Sequence, residues 1–139
     1  MPSLILEENN RNDLLQKMRD DTWVVACLCA AWCDVCTSYR AGFDALASEH
    51  ADKLFVWIDI EDRADLIGDF DVENFPTILI QRGDEVAFYG TTLPDPRIAL
   101  RLLNAHADST AEQRAAQSVS NPDYRAWQEE RNLRRTLSA

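Results

Sequence analysis

Trp23-Val24-Val25-Ala26-Cys27-Leu28-Cys29-Ala30-Ala31-Trp32-Cys33-Asp34-Val35-Cys36 reads as a buried strand running into a helix. Residues 23–29 form an apolar run of strand length. From Cys36 onward, apolar or small side chains recur at Tyr39, Phe43, Leu46, Ala47 and His50, which is helical spacing. Cys33 and Cys36 fall at the junction, separated by two residues and close enough to form a disulfide. Cys33 sits at the helix N-terminus, where the macrodipole and free backbone N–H groups favour a thiolate. That placement suits thiol–disulfide exchange.

Working outward, residues 4–6 read as a short strand, and Asn12 as the cap of a helix carrying Leu14, Leu15 and Met18. Residues 54–60 are a second buried strand, and residues 64–70 a short helix with Leu66, Ile67 and Phe70. Phe75-Pro76-Thr77 opens a strand over 77–81. Gly83-Asp84 turns it into a hairpin partner over 85–89, which Gly90 ends. Asp95-Pro96 marks the start of a helix through Ala105 with Ile98, Leu102 and Leu103 inward. The order β-α-β-α-β-α-β-β-α predicts an α/β fold with parallel strands, helical crossovers and an antiparallel edge. Beyond it, Ser109-Thr110-Ala111-Glu112 reads as a capping box. Asn121-Pro122 starts another helix with Tyr124, Trp127, Leu133 and Leu137 at irregular spacing. The predicted division is a domain over 1–107 and a C-terminal helical extension over 108–139, whose packing is left open.

The 139 residues suffice for one domain with a core. A net charge of −10 argues against nucleic acid. Residues 108–139 hold five acids and five arginines, so the whole excess lies in 1–107. Within it, the stretch 59–73 is acidic (Asp59, Glu61, Asp62, Asp65, Asp69, Asp71 and Glu73 against Arg63), either a solvated face or a surface that steers a basic partner. No apolar run reaches the eighteen or so residues of a membrane helix. The N-terminus lacks a basic leader region, so a cytoplasmic protein is expected. Four cysteines within residues 27–36 suggest redox or metal chemistry, since a secreted disulfide framework would scatter them.

Ala30-Ala31-Trp32-Cys33-Asp34-Val35-Cys36 after a buried strand, with Phe75-Pro76-Thr77 downstream and Gly83 and Gly90 in the hairpin region, resembles the thioredoxin family over roughly residues 3–107. The resemblance implies a thioredoxin fold, a central mixed sheet flanked by helices. It implies that Cys33 is the exposed nucleophile and Cys36 the buried resolving thiol that breaks the mixed disulfide. Trp32, Phe75 and Pro76 would bind substrate, with Pro76 in cis. The redox-active disulfide would be Cys33–Cys36. No cofactor or metal would be needed, and electrons would come from an external thioredoxin-reductase-like donor. Protein disulfides would be the substrates, and a monomer or weak dimer is expected, with no nucleic-acid or membrane partner.

Three departures from the family pattern bear on that chemistry. A buried Asp common six residues before the first cysteine is here Cys27. A Trp common four residues before it is Cys29. The dipeptide is Asp34-Val35 in place of Gly-Pro, and the Asp34 carboxylate opposes a thiolate on Cys33, which on that ground makes the dithiol a better reductant. Trp57 stands where the family often has a buried Lys and is expected in the core. Cys27 and Cys29 are read as pointing to opposite strand faces, which argues against all four cysteines meeting on one metal ion. They are buried small hydrophobes or auxiliary thiols exchanging with Cys36 or Cys33. His50 and His106 lie near helix ends and read as structural.

Two functions remain on these residues. One is a thiol–disulfide oxidoreductase that reduces protein disulfides. The alternative is a thioredoxin-like adaptor or chaperone that holds a client on the Trp32/Phe75-Pro76 surface and the acidic 59–73 flank, with little redox turnover.

Overall fold

A computed structural model describes residues 3–7, 9–67, 70 and 72–138. Asp69 and Asp71 of the acidic stretch, and part of the helix expected over 64–70, lie outside the described residues.

The chain order is β1 (Leu4–Ile5), α1 (Arg11–Lys17), β2 (Trp23–Cys29), α2 (Asp34–Glu49), β3 (Leu54–Asp59), α3 (Ala64–Ile67), β4 (Thr77–Arg82), β5 (Glu85–Thr91), α4 (Pro96–Ala107), α5 (Ala111–Ser120), α6 (Tyr124–Glu130) and α7 (Leu133–Ser138). The strands form one sheet in the order β1-β3-β2-β4-β5. β1, β3 and β2 are parallel, joined by helical crossovers; β4 and β5 add an antiparallel hairpin. The expected mixed sheet flanked by helices is therefore the observed fold.

Strand β2 lies at the centre and is apolar throughout because both its faces are covered. Val24, Ala26 and Leu28 face a core with Leu14, Met18, Ile67, Leu133 and Leu137. Val25, Cys27 and Cys29 face the other core, with Cys36, Tyr39, Phe43 and Leu103. The opposite-face reading of Cys27 and Cys29 is thus corrected. Strand side chains alternate with a period of two, so residues two apart share a face.

Local signals shifted by small amounts. Asn10, not Asn12, precedes α1; its side chain accepts from Glu7 N–H at 2.7 Å and donates to the Ile5 carbonyl at 2.6 Å, bracing the loop instead of the helix end. Asp95 does cap α4, accepting from Arg97 N–H at 3.0 Å. On α4 the fully buried residues are Ala99 and Leu103, while Ile98 and Leu102 stay partly exposed. Gly90 lies within β5 and does not end it. The capping box is Thr110 with Gln113, one residue later than expected.

The extension packs onto the body. The irregular spacing of Tyr124, Trp127, Leu133 and Leu137 has a simple cause: they belong to two helices, α6 and α7, separated at Arg131–Asn132. Leu133 and Leu137 enter the core beneath α1. Gln128 on α6 covers the free edge of β5. Its carboxamide accepts from Val86 N–H at 2.8 Å and donates to the Val86 carbonyl at 2.7 Å, as a neighbouring strand would.

Candidate active site

Strand β2 ends at Cys29, and α2 begins after Cys33, so Trp32 and Cys33 sit on the short turn between them. Cys33 is the N-cap residue of α2, in extended conformation, with its sulfur half-exposed and free. Its N–H donates to the Ala30 carbonyl at 3.1 Å, and its carbonyl accepts from Thr37 N–H at 3.1 Å. The side chain makes no capping bond, so the sulfur is available at a helix N-terminus, where the dipole favours negative charge. Cys36, one turn into α2, points inward and is 1% exposed.

The turn is held by carboxylates from the strand β3 side. Asp59 accepts from Ala31 N–H at 2.9 Å with one oxygen, and from Glu61 and Asp62 N–H groups at 2.9 and 3.1 Å with the other. Trp32 is 65% exposed, an unusual position for an indole. Its Nε1–H donates to Glu61 Oε1 at 2.6 Å, and its ring meets Phe75 edge-on at 5.7 Å. The Phe75–Pro76 peptide is cis. Phe75 and Cys33 pack on the same core cluster, so the loop before β4 lies beside the cysteine turn. Trp32, Cys33 and Phe75-Pro76 are therefore gathered at one end of the sheet.

The disulfide differs from the one expected. Cys36 is bonded to Cys29, at a Cα–Cα distance of 5.7 Å, and not to Cys33. The physical reason is placement. Cys29 ends β2 on the face that α2 covers, and Cys36 is the first inward residue of α2, so both sulfurs enter the same core. Ala30 N–H donates to the Cys36 sulfur at 3.4 Å. The Cys27 thiol donates to the Cys29 sulfur at 3.8 Å. Burial pushes the Cys27 thiol well above its ordinary range, with the Arg40 guanidinium pulling weakly the other way, so Cys27 stays protonated. The argument from opposite strand faces against a shared metal ion fails, but among the described residues no group of three or more His, Cys, Asp or Glu is placed to hold one.

Arg40, one turn after Cys36, was not singled out by the sequence reading, although its i+4 spacing from Cys36 on a helix was a usable signal. Its guanidinium lies 4.8 Å from the Trp57 ring centroid and is paired with Asp44 at 3.4 Å. With Cys36, Ala30 and Asp59 it lines a pocket of about 380 Å³. Trp57 is in the core against Phe43 at 5.7 Å. Asp59 and Glu61 were read only as members of an acidic stretch; the contacts they make depend on the fold and have no local signature. His50 closes α2 as its C-cap residue, and His106 lies in the last turn of α4.

The chain is similar to known proteins in sequence and in fold. The thioredoxin H-type protein of Brassica campestris is 30% identical over 78 residues, which is 56% of this chain and 63% of that relative. Thioredoxin H5 of Oryza sativa is 24% identical over 84 residues, 60% of this chain and 62% of that relative. The chain thus spans somewhat less than two thirds of these curated relatives. Among solved structures, thioredoxin NaTrxh of Nicotiana alata superposes with a TM-score of 0.65 at 21% identity, covering 76% of this chain and 95% of that one. Spinach chloroplast thioredoxin f gives a TM-score of 0.65 at 18% identity, covering 77% and 95%. The thioredoxin family model matches residues 2–102, from before β1 to within α4 and well beyond the cysteine turn, and the chain belongs to the thioredoxin family.

Proposed function

We propose that this protein is a thiol–disulfide oxidoreductase that reduces protein disulfides through Cys33 and Cys36. The observation that carries the reading is the contrast between the two sulfurs. Cys33 is accessible at the N-cap of α2 beside Phe75 and the cis Pro76, and Cys36 is buried one turn behind it. Cys33 attacks a substrate sulfur and forms a mixed disulfide, releasing the other substrate thiol. Cys36 then attacks Cys33, and the second substrate thiol leaves. Trp32, Phe75 and Pro76 form the surface on which an extended substrate segment lies. Asp34, first residue of α2, places a carboxylate next to the nucleophile in sequence. The chemistry uses side-chain sulfur alone, with electrons returned by an external reductase. One of the structural neighbours is a thioredoxin f2 in a complex with ferredoxin:thioredoxin reductase. A reducing compartment such as the cytoplasm suits this direction of electron flow.

The adaptor reading keeps one specific point in its favour. Cys27 and Trp57 stand where the family often has a buried carboxylate and a lysine, which weakens proton transfer at Cys36. Insulin reduction separates the two. The wild type is expected to turn over with dithiothreitol as electron donor, and Cys33→Ser to lose that turnover. Absence of wild-type turnover, with client capture unaffected by Cys33→Ser, would reject the oxidoreductase.

A further inference from the structure

We infer that Cys29 is a third redox partner of this site, which takes Cys36 out of the Cys33–Cys36 disulfide and returns Cys33 to the surface as a thiol while the chain stays oxidised. The inference rests on the proposed exchange chemistry of Cys33 and Cys36, and adds to it a state in which the nucleophile has no resolving partner.

The bonding and burial point to this. Cys36 is one turn into α2 and lies between two candidate partners, Cys33 at the helix N-cap and Cys29 at the end of β2. The backbone separation of Cys29 and Cys36, 5.7 Å, falls in the ordinary disulfide range, and the structure holds that bond. Each sulfur of the pair has its own donor: Cys27 S–H to Cys29, and Ala30 N–H to Cys36. The Cys27 donor stabilises negative charge on Cys29, the sulfur that attacks. Cys27 remains protonated and therefore acts as a donor, not as a competing nucleophile. Both bonded sulfurs are buried at 0–1% exposure, whereas Cys33 is half-exposed and free.

The step balances within the chain. The Cys29 thiolate attacks the Cys36 sulfur, a Cys29–Cys36 bond forms, and the Cys33–Cys36 bond breaks with Cys33 leaving as the thiolate. The proton lost by Cys29 is made up at Cys33. No electron enters or leaves, and one disulfide is exchanged for another. In the product, the partly exposed, free Cys33 can still attack a disulfide, including that of a small thiol such as glutathione. The resulting mixed disulfide persists, because Cys36 is engaged elsewhere. Cys29 thus converts a two-cysteine reductant into a one-cysteine capture site upon oxidation.

The test maps the disulfide in wild-type protein oxidised with diamide, freed of excess oxidant, and then alkylated, still folded, with iodoacetamide. All four cysteines share one tryptic peptide, so chymotrypsin is used to cut after Leu28, Trp32 and Tyr39. The expected product is peptide 29–32 cross-linked to peptide 33–39, with Cys33 carrying the alkyl group. In oxidised Cys29→Ala, Cys33 is expected to lose its alkylation, because it is then held by Cys36 in a disulfide and has no thiol to react. A wild-type peptide 33–39 closed on itself, or a bond from Cys29 to Cys33, overturns the inference. Insulin reduction by an unalkylated portion of the same protein, with dithiothreitol as electron donor, reads the oxidoreductase activity separately. Turnover with a closed 33–39 peptide rejects the role of Cys29 alone, and a cross-linked peptide without turnover rejects the reductase reading instead.

Discussion

Gln81 and Asn132, 51 residues apart, are joined by a buried amide–amide hydrogen bond of 2.7 Å that ties the C-terminal helices to the central sheet. Gln81 is wholly buried at an irregularity in the β4–β5 ladder, and its carboxamide also donates to the Gly83 carbonyl at 2.9 Å and accepts from Leu133 N–H at 2.9 Å. Asn132 accepts from Arg135 N–H at 3.0 Å and so starts α7. Asn132 also donates to the Asp84 carbonyl at 3.2 Å.

Removing either amide leaves its partner's buried carboxamide one hydrogen bond short. Asn132→Ala is expected to lower unfolding free energy by roughly 1–3 kcal/mol in urea titration, the cost of orphaned buried polar groups. Gln81→Ala should do similar damage, and the double variant less than the sum of the two, since they share one network. Additive losses would mean that the two amides do not act together.

Gly42 shows how closely α2 approaches α4. A Cβ at Gly42 would collide with Pro96 Cγ, in a ring that cannot rotate away. Gly→Ala in a helix interior ordinarily gains about 0.5–1 kcal/mol. Here overpacking outweighs that gain, and Gly42→Ala is expected to be net destabilising by about 1–2 kcal/mol and to lower the thermal midpoint. Adding Pro96→Ala should recover part of the loss. A midpoint that rises in Gly42→Ala would show that the two helices separate freely.

His106 gives the molecule a pH dependence of stated sign. Burial holds it below its ordinary value of 6.5, while the Glu85 carboxylate pulls weakly upward. The unfolded chain therefore takes up this proton before the folded chain does. The resulting contribution to stability is intact above 6.5 and is lost as pH falls through the depressed folded value. His106→Gln should flatten the stability profile between about pH 7 and pH 5, measured by urea titration at each pH. The change is small, because the ring is only half-buried. A profile unchanged by the substitution would assign the acid sensitivity to other groups.

Much of the fold was legible because its signals are local. The apolar run at 23–29, the helical spacing from Cys36 and the Gly83-Asp84 turn each report a periodicity or a backbone preference that survives without neighbours. Boundaries shifted where two residues compete for one role, as Asn10 and Asn12 did for α1, or Thr110 and Ser109 for α5. The tail looked weakly amphipathic because one sequence pattern covered two helices, and its anchoring amides, Gln81 and Asn132, have no signature outside the folded chain.

By itself the sequence determined that Cys33 and Cys36 lie one helical turn apart at a strand-to-helix junction, with Trp32 before them and Phe75-Pro76 downstream, since spacing and residue type suffice for that. Only the tertiary structure decided which sulfur Cys36 meets. Cys29 and Cys36 converge because the end of β2 and the first turn of α2 face one core, and that convergence depends on the packing of a helix on a sheet. The same packing put Cys27 beneath Cys29 and set Asp59 and Glu61 to hold the Trp32 turn.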